Sequence, residues 1–424
     1  MPRAHRGLAL CAALGAWLLA MFGLGNAGEA AGPTEAGWKC AVPAEEQWSA
    51  AEKFAWDRIC AGRQADFSEN GVYLDPAKAE GWEQDRTLSA AFLRTILSDR
   101  YRQALTPVGV SIVNARFTEA VELQNAELTR ELSVRSSRFD KGADLTGLRS
   151  TRSLRLDYSV AQAPMVMDSL QLAGDLSAYG GDFASVSLRS ANIDGWARFS
   201  GAKLRGKLDM NGIRIHSDLY LRTEEKDLRA EFAEIELAYA RVGQVNLQGA
   251  KVTGQLNMDG AAVSRHVMLI IDRANGIKPE FADVMLDVAQ IGGGLFVTDG
   301  EVKGELKCRM TEVNQIAMIG FGTTFRGTVR CQWARFKGDL SFVGGIFHDD
   351  LLLDGTQIGG ELTLGYAGYK PATWVSDGKD PNTGPTLVLH NAVATTIPNP
   401  SDAWPRDINV AGLTYKGLRN IHTA

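Results

Sequence analysis

Along most of this chain, apolar residues come in pairs spaced by two, and the pairs recur every 11 residues. The first apolar position of a pair falls at 197, 208 and 219; at 245, 256 and 267; at 284, 295 and 306; and at 329, 340, 351 and 362. Ala250-Lys-Val252 … Leu256-Asn-Met258 and Ala261-Ala-Val263 … Val267-Met-Leu269 are consecutive copies. So are Gln290-Ile291-Gly-Gly-Gly-Leu295-Phe-Val297 and Glu301-Val302-Lys-Gly-Glu-Leu306-Lys-Cys308. The unit reads A-x-Φ-x-G-x-Φ-x-Φ-x-G, with Φ apolar. Self-similarity at a fixed period is the mark of a solenoid. An 11-residue period also suits a right-handed coiled coil. Spacing by two is strand spacing, however, and a glycine in nearly every unit would cost a helix about 1 kcal/mol each.

The pattern therefore predicts a mostly β chain folded as a right-handed quadrilateral β-helix. Two units, about 22 residues, make one coil of four short faces, with glycine supplying positive φ at corners. From 121 to 364 this gives about eleven coils, ~50 Å at ~4.8 Å per coil. Three polar stretches break the period: 222–231, 271–281 and 366–384. Phe232 and Phe281 re-enter the pattern alike, which places the first two loops on one side. Loops leaving a solenoid are where functional residues often sit.

The N-terminal region reads differently. Trp48, Ala51, Phe54, Ala55 and Ile59 lie near helical spacing over 45–61, and Leu88, Phe92, Ile96, Leu97, Tyr101 and Leu105 do so over 87–105. Before both lies a leader-like segment. Arg3 and Arg6 precede an apolar run from Gly7 to Leu24, and Gly25 and Ala27 sit where a signal peptidase needs small residues. There is no twin-arginine pair, and Cys11 follows Leu10 too early for lipidation. The organisation expected is a signal peptide at 1–27, a helical cap at 28–106, a β-helix at 107–366, and a loop and capping segment at 367–424. Retention of 1–27 as an anchor is the alternative to its cleavage.

Composition narrows the function classes. Hydrophobic residues make up 45% and charged residues 22% of the 424, so the chain is not disordered. Glycine is in excess, at 45 residues, without the three-residue period of collagen. A net charge of −5 argues against nucleic acid as a partner. Four cysteines follow the leader. Cys40 with Cys60 would staple the helical region. Cys308 and Cys331 share one register of the repeat, 23 residues apart. A bridge between them is geometrically open, although parallel Cβ vectors suit two buried thiols better. The pairs Cys40, Cys60 and Cys308, Cys331 are thus the candidate disulfides, which an exported protein would form.

Units such as Ala126-Glu-Leu128, Ala143-Asp-Leu145, Ala191-Asn-Ile193 and Ala202-Lys-Leu204 resemble the pentapeptide-repeat class, with one extra residue per pair of pentads. More specifically, the chain over 87–420 resembles uncharacterised bacterial pentapeptide-repeat-like proteins, some labelled membrane-associated. Their similar units end in a segment like Asp402-Ala403-Trp404-Pro405 … Ile408-Asn-Val410-Ala-Gly412-Leu-Thr-Tyr415. The resemblance implies a right-handed β-helix and no established activity. It also implies peripheral membrane association, since such proteins often continue into a helical, membrane-associated tail; this chain ends at Ala424.

The catalytic candidates are weak. His348, Asp349 and Asp350, with Asp354 nearby, pair carboxylates with a His, as acid–base chemistry on a sugar requires. Adjacent corner residues point apart, so a solvated corner is the better expectation. His216, His266 and His348 recur before an apolar pair but are too far apart to share a metal. Gly292-Gly293-Gly294 lacks the Lys-Ser/Thr of a phosphate loop and reads as a corner. No metal or cofactor is expected.

The function expected is that of an exported, non-enzymatic β-helix at the bacterial envelope, periplasmic or secreted. It would act as a binding or scaffolding surface for a protein or glycan partner. The alternative is a carbohydrate-active β-helix enzyme, a lyase, hydrolase or epimerase. DNA mimicry toward a topoisomerase, known for some pentapeptide proteins, is opposed by the leader.

Overall fold

A computed structural model describes residues 40–419 apart from 70, 367, 377–383 and 399. The leader, Cys11 and Trp38 lie outside the described residues. The described residues group as one compact unit.

The repeat folds as a β-solenoid of about 14 turns at roughly 22-residue spacing. Each turn contributes four short strands, and each strand pairs in parallel with its equivalents one coil earlier and one coil later. Four ladders result. In face 1, Leu132, Leu154 and Leu176 are successive register partners. Face 2 aligns Phe117, Phe139 and Ala161. Face 3 aligns Val121, Ala143 and Met165. Face 4 aligns Leu128, Ser150 and Leu172. The spacing by two now has its cause: in a strand, alternate residues point to one side, so each Φ-x-Φ pair aims both apolar side chains inward.

The interior is therefore a set of stacked ladders. Phe117 stacks on Phe139 with ring centroids 4.9 Å apart, and Phe325 on Phe347 at 5.1 Å. Each such fully buried side chain contributes about 1.5–3 kcal/mol. The alanine that opens the unit sits inward at a corner, as at Ala240, Ala261 and Ala289, where there is no room for more. Serine or threonine can replace it when the hydroxyl finds a carbonyl of the neighbouring coil. Ser159 Oγ donates to Val134 O at 2.9 Å and Thr323 Oγ1 to Val297 O at 3.1 Å. Corner aspartates tie coils together from outside: Asp175, Asp283 and Asp339 accept the backbone N–H of Trp196, Glu305 and Glu361 in the next coil.

Loops 222–231 and 271–281 leave the same corner, between faces 1 and 2, two coils apart. They touch: Asn275 Nδ2 donates to Glu224 O at 3.2 Å, and an Arg229 guanidinium N–H donates to Lys278 O at 2.9 Å. The third loop leaves this corner as well, since it follows the face 1 strand at Leu362 and leads into the face 2 strand Thr373–Trp374. Strands do not stop at 366. Thr373–Trp374, Thr386–Val388, Val393–Pro398, Asp407–Asn409 and Thr414–Arg419 continue the ladders. Over its described residues, the segment expected as a C-terminal cap adds further coil strands.

Among the described residues, three α-helices lie ahead of the coils: α1 at Ala50–Cys60, α2 at Ala90–Ile96 and α3 at Asp99–Arg102. The pattern over 87–105 suggested one helix. It is interrupted at Leu97–Ser98, where Ser98 Oγ donates to Thr95 O at 2.7 Å and competes with the helical ladder. Trp48, Trp56, Phe92 and Tyr101 form an aromatic cluster between these helices. Cys40 is bonded to Cys60 with a Cα–Cα distance of 5.1 Å, and Cys308 to Cys331 at 4.5 Å. For the second pair, direct neighbours on adjacent coils, the structure holds a bond where the parallel Cβ vectors had favoured free thiols.

Candidate binding groove

An open groove of about 690 Å³ crosses face 4 and the corner between faces 4 and 1. Five successive coils line it, each with two outward residues: Arg214 and His216, Arg241 and Gly243, Ala262 and Ser264, Gln290 and Gly292, Glu312 and Asn314. Small side chains in the middle coils and long ones at the ends make the surface concave. The glycines here are not left-handed. Gly292 serves close approach, because a Cβ would lie 2.4 Å from Ser264 O in the coil below.

The charges are uneven. Arg214 and Arg241 are exposed register partners on adjacent strands. Neither pairs with an acid among the described residues. Like charges stacked across a ladder are unfavourable, by about 1 kcal/mol in water at that spacing. Two of the three bordering acids are paired with a cation, and the third lies beside a histidine. Asp194 lies 3.6 Å from His216 Nδ1, Asp218 pairs with Arg265, and Glu312 pairs with Lys337. The Lys337 hydrogen bond and charge hold the Glu312 carboxyl below its usual range. One end of the groove thus carries two guanidinium groups that have no acidic partner among the described residues.

A ridge borders the groove. It runs along the corner between faces 3 and 4 and comprises Tyr239, Val288, Met310 and Trp333, which are 70, 53, 59 and 63% exposed. All four are left-handed, with φ of 57°, 59°, 54° and 61°. Other coils put Asn125, Ser169, Ser190 or Asn391, or a glycine, at this corner. Those are residues that the conformation favours; a large or β-branched residue there costs about 1–2 kcal/mol. The rings rest over glycines of the next coil. A Cβ at Gly260 would lie 2.9 Å from Tyr239 Cδ1, and one at Gly355 2.4 Å from Trp333 Cε3. Strain held at exposed apolar residues is a pointer to function.

The weak catalytic candidates lie at a corner, each with a local partner. His348 and Asp349 lie at the corner between faces 2 and 3, and Asp350 leads into face 3. His348 Nε2 is 3.3 Å from an Arg326 guanidinium nitrogen. Asp349 accepts from Thr328 Oγ1 at 3.0 Å, and Asp350 from the backbone N–H of Thr386 at 2.8 Å. Burial and then Arg326 lower the His348 pKa. Asp354 sits one face away beside His390, at 4.0 Å. His216 lines the groove; His266 lies beyond its rim and accepts from Gly294 N–H through Nδ1 at 2.9 Å. No group of three metal-ligating side chains exists among the described residues. Nor is any described helix long and apolar enough to cross a membrane.

Sequence reasoning missed both the arginine pair and the ridge. The ridge had a signal: Tyr239, Val288, Met310 and Trp333 each replace the closing glycine of an 11-residue unit. The arginines had a fainter one, since the 222–231 loop sets Arg214 and Arg241 27 residues apart instead of 22.

Fold and surface together define a parallel β-solenoid with a cationic groove. Comparison with protein-family models, curated proteins and solved structures yields no match to this chain.

Proposed function

We propose that the protein is an exported, non-enzymatic β-helix of the pentapeptide-repeat kind, and that its groove binds an anionic group on an envelope partner. The observation that carries the reading is the stacked pair Arg214 and Arg241, which no acid pairs among the described residues, while Asp218 and Glu312 beside them are held by Arg265 and Lys337. The leader-like segment 1–27 and the two cystines support an oxidising compartment. The separate engagement of His348, Asp349 and Asp350 in local contacts supports a binding role over catalysis.

Thermal shift with citrate, an inorganic-buffer control and the double variant R214A/R241A tests the groove. Citrate should raise the melting temperature of the parent and leave the double variant unmoved; an equal shift in both overturns the reading. A polysaccharide-cleavage screen tests the non-enzymatic half, and turnover of any polymer overturns that. Cell fractionation tests export, with recovery in the cytoplasm as the failing result.

A further inference from the structure

The groove and the ridge are two tracks of one surface. On four coils the ridge residue precedes an outward face 4 residue by two: Tyr239 and Arg241, Val288 and Gln290, Met310 and Glu312, and, one coil beyond the groove lining, Trp333 and Arg335; Gly260 takes the ridge position in the coil of Ala262. The groove lining and the ridge each span five coils, ~19 Å at ~4.8 Å per step, the ridge with a gap at Gly260 between Tyr239 and Val288. We infer that this surface holds a linear acidic glycan, a uronate-bearing polymer lying along the solenoid axis. Its sugar rings would pack on Tyr239 and Trp333, and its carboxylates would meet Arg214 and Arg241. The inference rests on the anion reading of the groove and adds the ligand class.

Three features favour this occupant. A sugar ring presents an apolar C–H face and a polar edge, which matches an apolar track two residues from a polar one. A one-dimensional periodic surface suits a periodic chain. The four ridge side chains alone are a small area beside the ~800 Å² per partner of a stable protein interface. The strain points the same way. Glycine at these four corners would relieve it; Tyr239 and Trp333 rest partly on Gly260 and Gly355, yet all four side chains stay more than half exposed and open to an outside contact.

The test measures binding of polygalacturonate oligomers to the full chain by tryptophan fluorescence and affinity electrophoresis, with dextran, citrate and anionic phosphatidylserine vesicles alongside. Polygalacturonate should bind, and its affinity should fall as salt rises. W333G should weaken it at least tenfold while its melting temperature stays level or rises, because glycine accepts the left-handed φ. A purely structural Trp333 would not separate those readouts. R214A/R241A should weaken it at least tenfold. Equal binding of dextran, unchanged affinity in W333G, or preference for the vesicles overturns the glycan inference. If citrate protects through the arginines and polygalacturonate does not bind, the glycan class falls and the groove reading stands. If citrate fails too, both fall.

Discussion

At the residue scale, glycine does two jobs that the sequence does not separate. Gly355 has a φ of +62° beneath Trp333, whereas Gly292 has none of that freedom in use and makes room for a neighbouring carbonyl. The excess of glycine was legible as corners; which glycine needs the conformation was not, because that depends on the coil above. The strained ridge gives a direct check. Val288→Gly relieves about 1–2 kcal/mol of left-handed strain and returns about 0.5–1 kcal/mol through the freer unfolded chain. Urea unfolding should therefore show a net gain of about 0.5–1 kcal/mol, and a loss would mean that Val288 packs on the fold. Glu52 gives a pH check. Burial alone would raise its pKa, but hydrogen bonds from Ser89 and Ser49 outweigh burial and hold it below 4.5. The folded protein then binds fewer protons than the unfolded chain. Stability from Glu52 is full above the ordinary Glu value and is lost as pH falls through the lower folded value. Melts from pH 7 to 3 should show Glu52→Gln less stable than the parent at pH 7, with the gap closing at the acid end.

At the element scale, the short strands were readable because one unit repeats, and each copy corrects errors in the next. Ala250, Ala261 and Ala289 announce corners; Leu256, Val267 and Leu295 announce inward faces. Loops 222–231 and 271–281 were readable as breaks, and the matching re-entry at Phe232 and Phe281 placed them together. Their mutual contacts were not readable, since the shared 49-residue spacing sets Arg229 and Lys278 at like positions without saying that one reaches the other. Arg229 holds both loops: it donates to Gly249 O at 3.3 Å and Lys278 O at 2.9 Å, and pairs with Glu280 at 3.0 Å. Arg229→Ala should release the loops without unfolding the coils, because the ladders do not use that side chain. Hydrogen exchange followed by mass spectrometry should show faster exchange in peptides covering 224–228 and 273–278. Exchange in the strands at 245 and 267 should be unchanged. Faster exchange throughout would make Arg229 a pillar of the solenoid instead.

At the scale of the whole molecule, each coil touches only its neighbours, so stability is a sum of coil terms and interfaces between coils. That makes the cost of a lesion depend on how many interfaces it breaks. Leu256 is fully buried and its register partners Ile235 and Val284 lie one coil to either side. Ile408 occupies the equivalent inward position on face 3 in the last described coil, paired with Leu387 and 39% exposed. The residues are close in size, and only the number of neighbouring coils differs. Leu256→Ala should cost about 2–5 kcal/mol, as a buried aliphatic truncation does. Ile408→Ala should cost under about 1 kcal/mol, because much of the side chain already meets solvent. Guanidinium unfolding of both variants checks this, with the m-value reporting whether the central lesion splits the transition into two steps. Equal costs would mean that Ile408 is covered in solution, and would place a partner or a further segment over that coil.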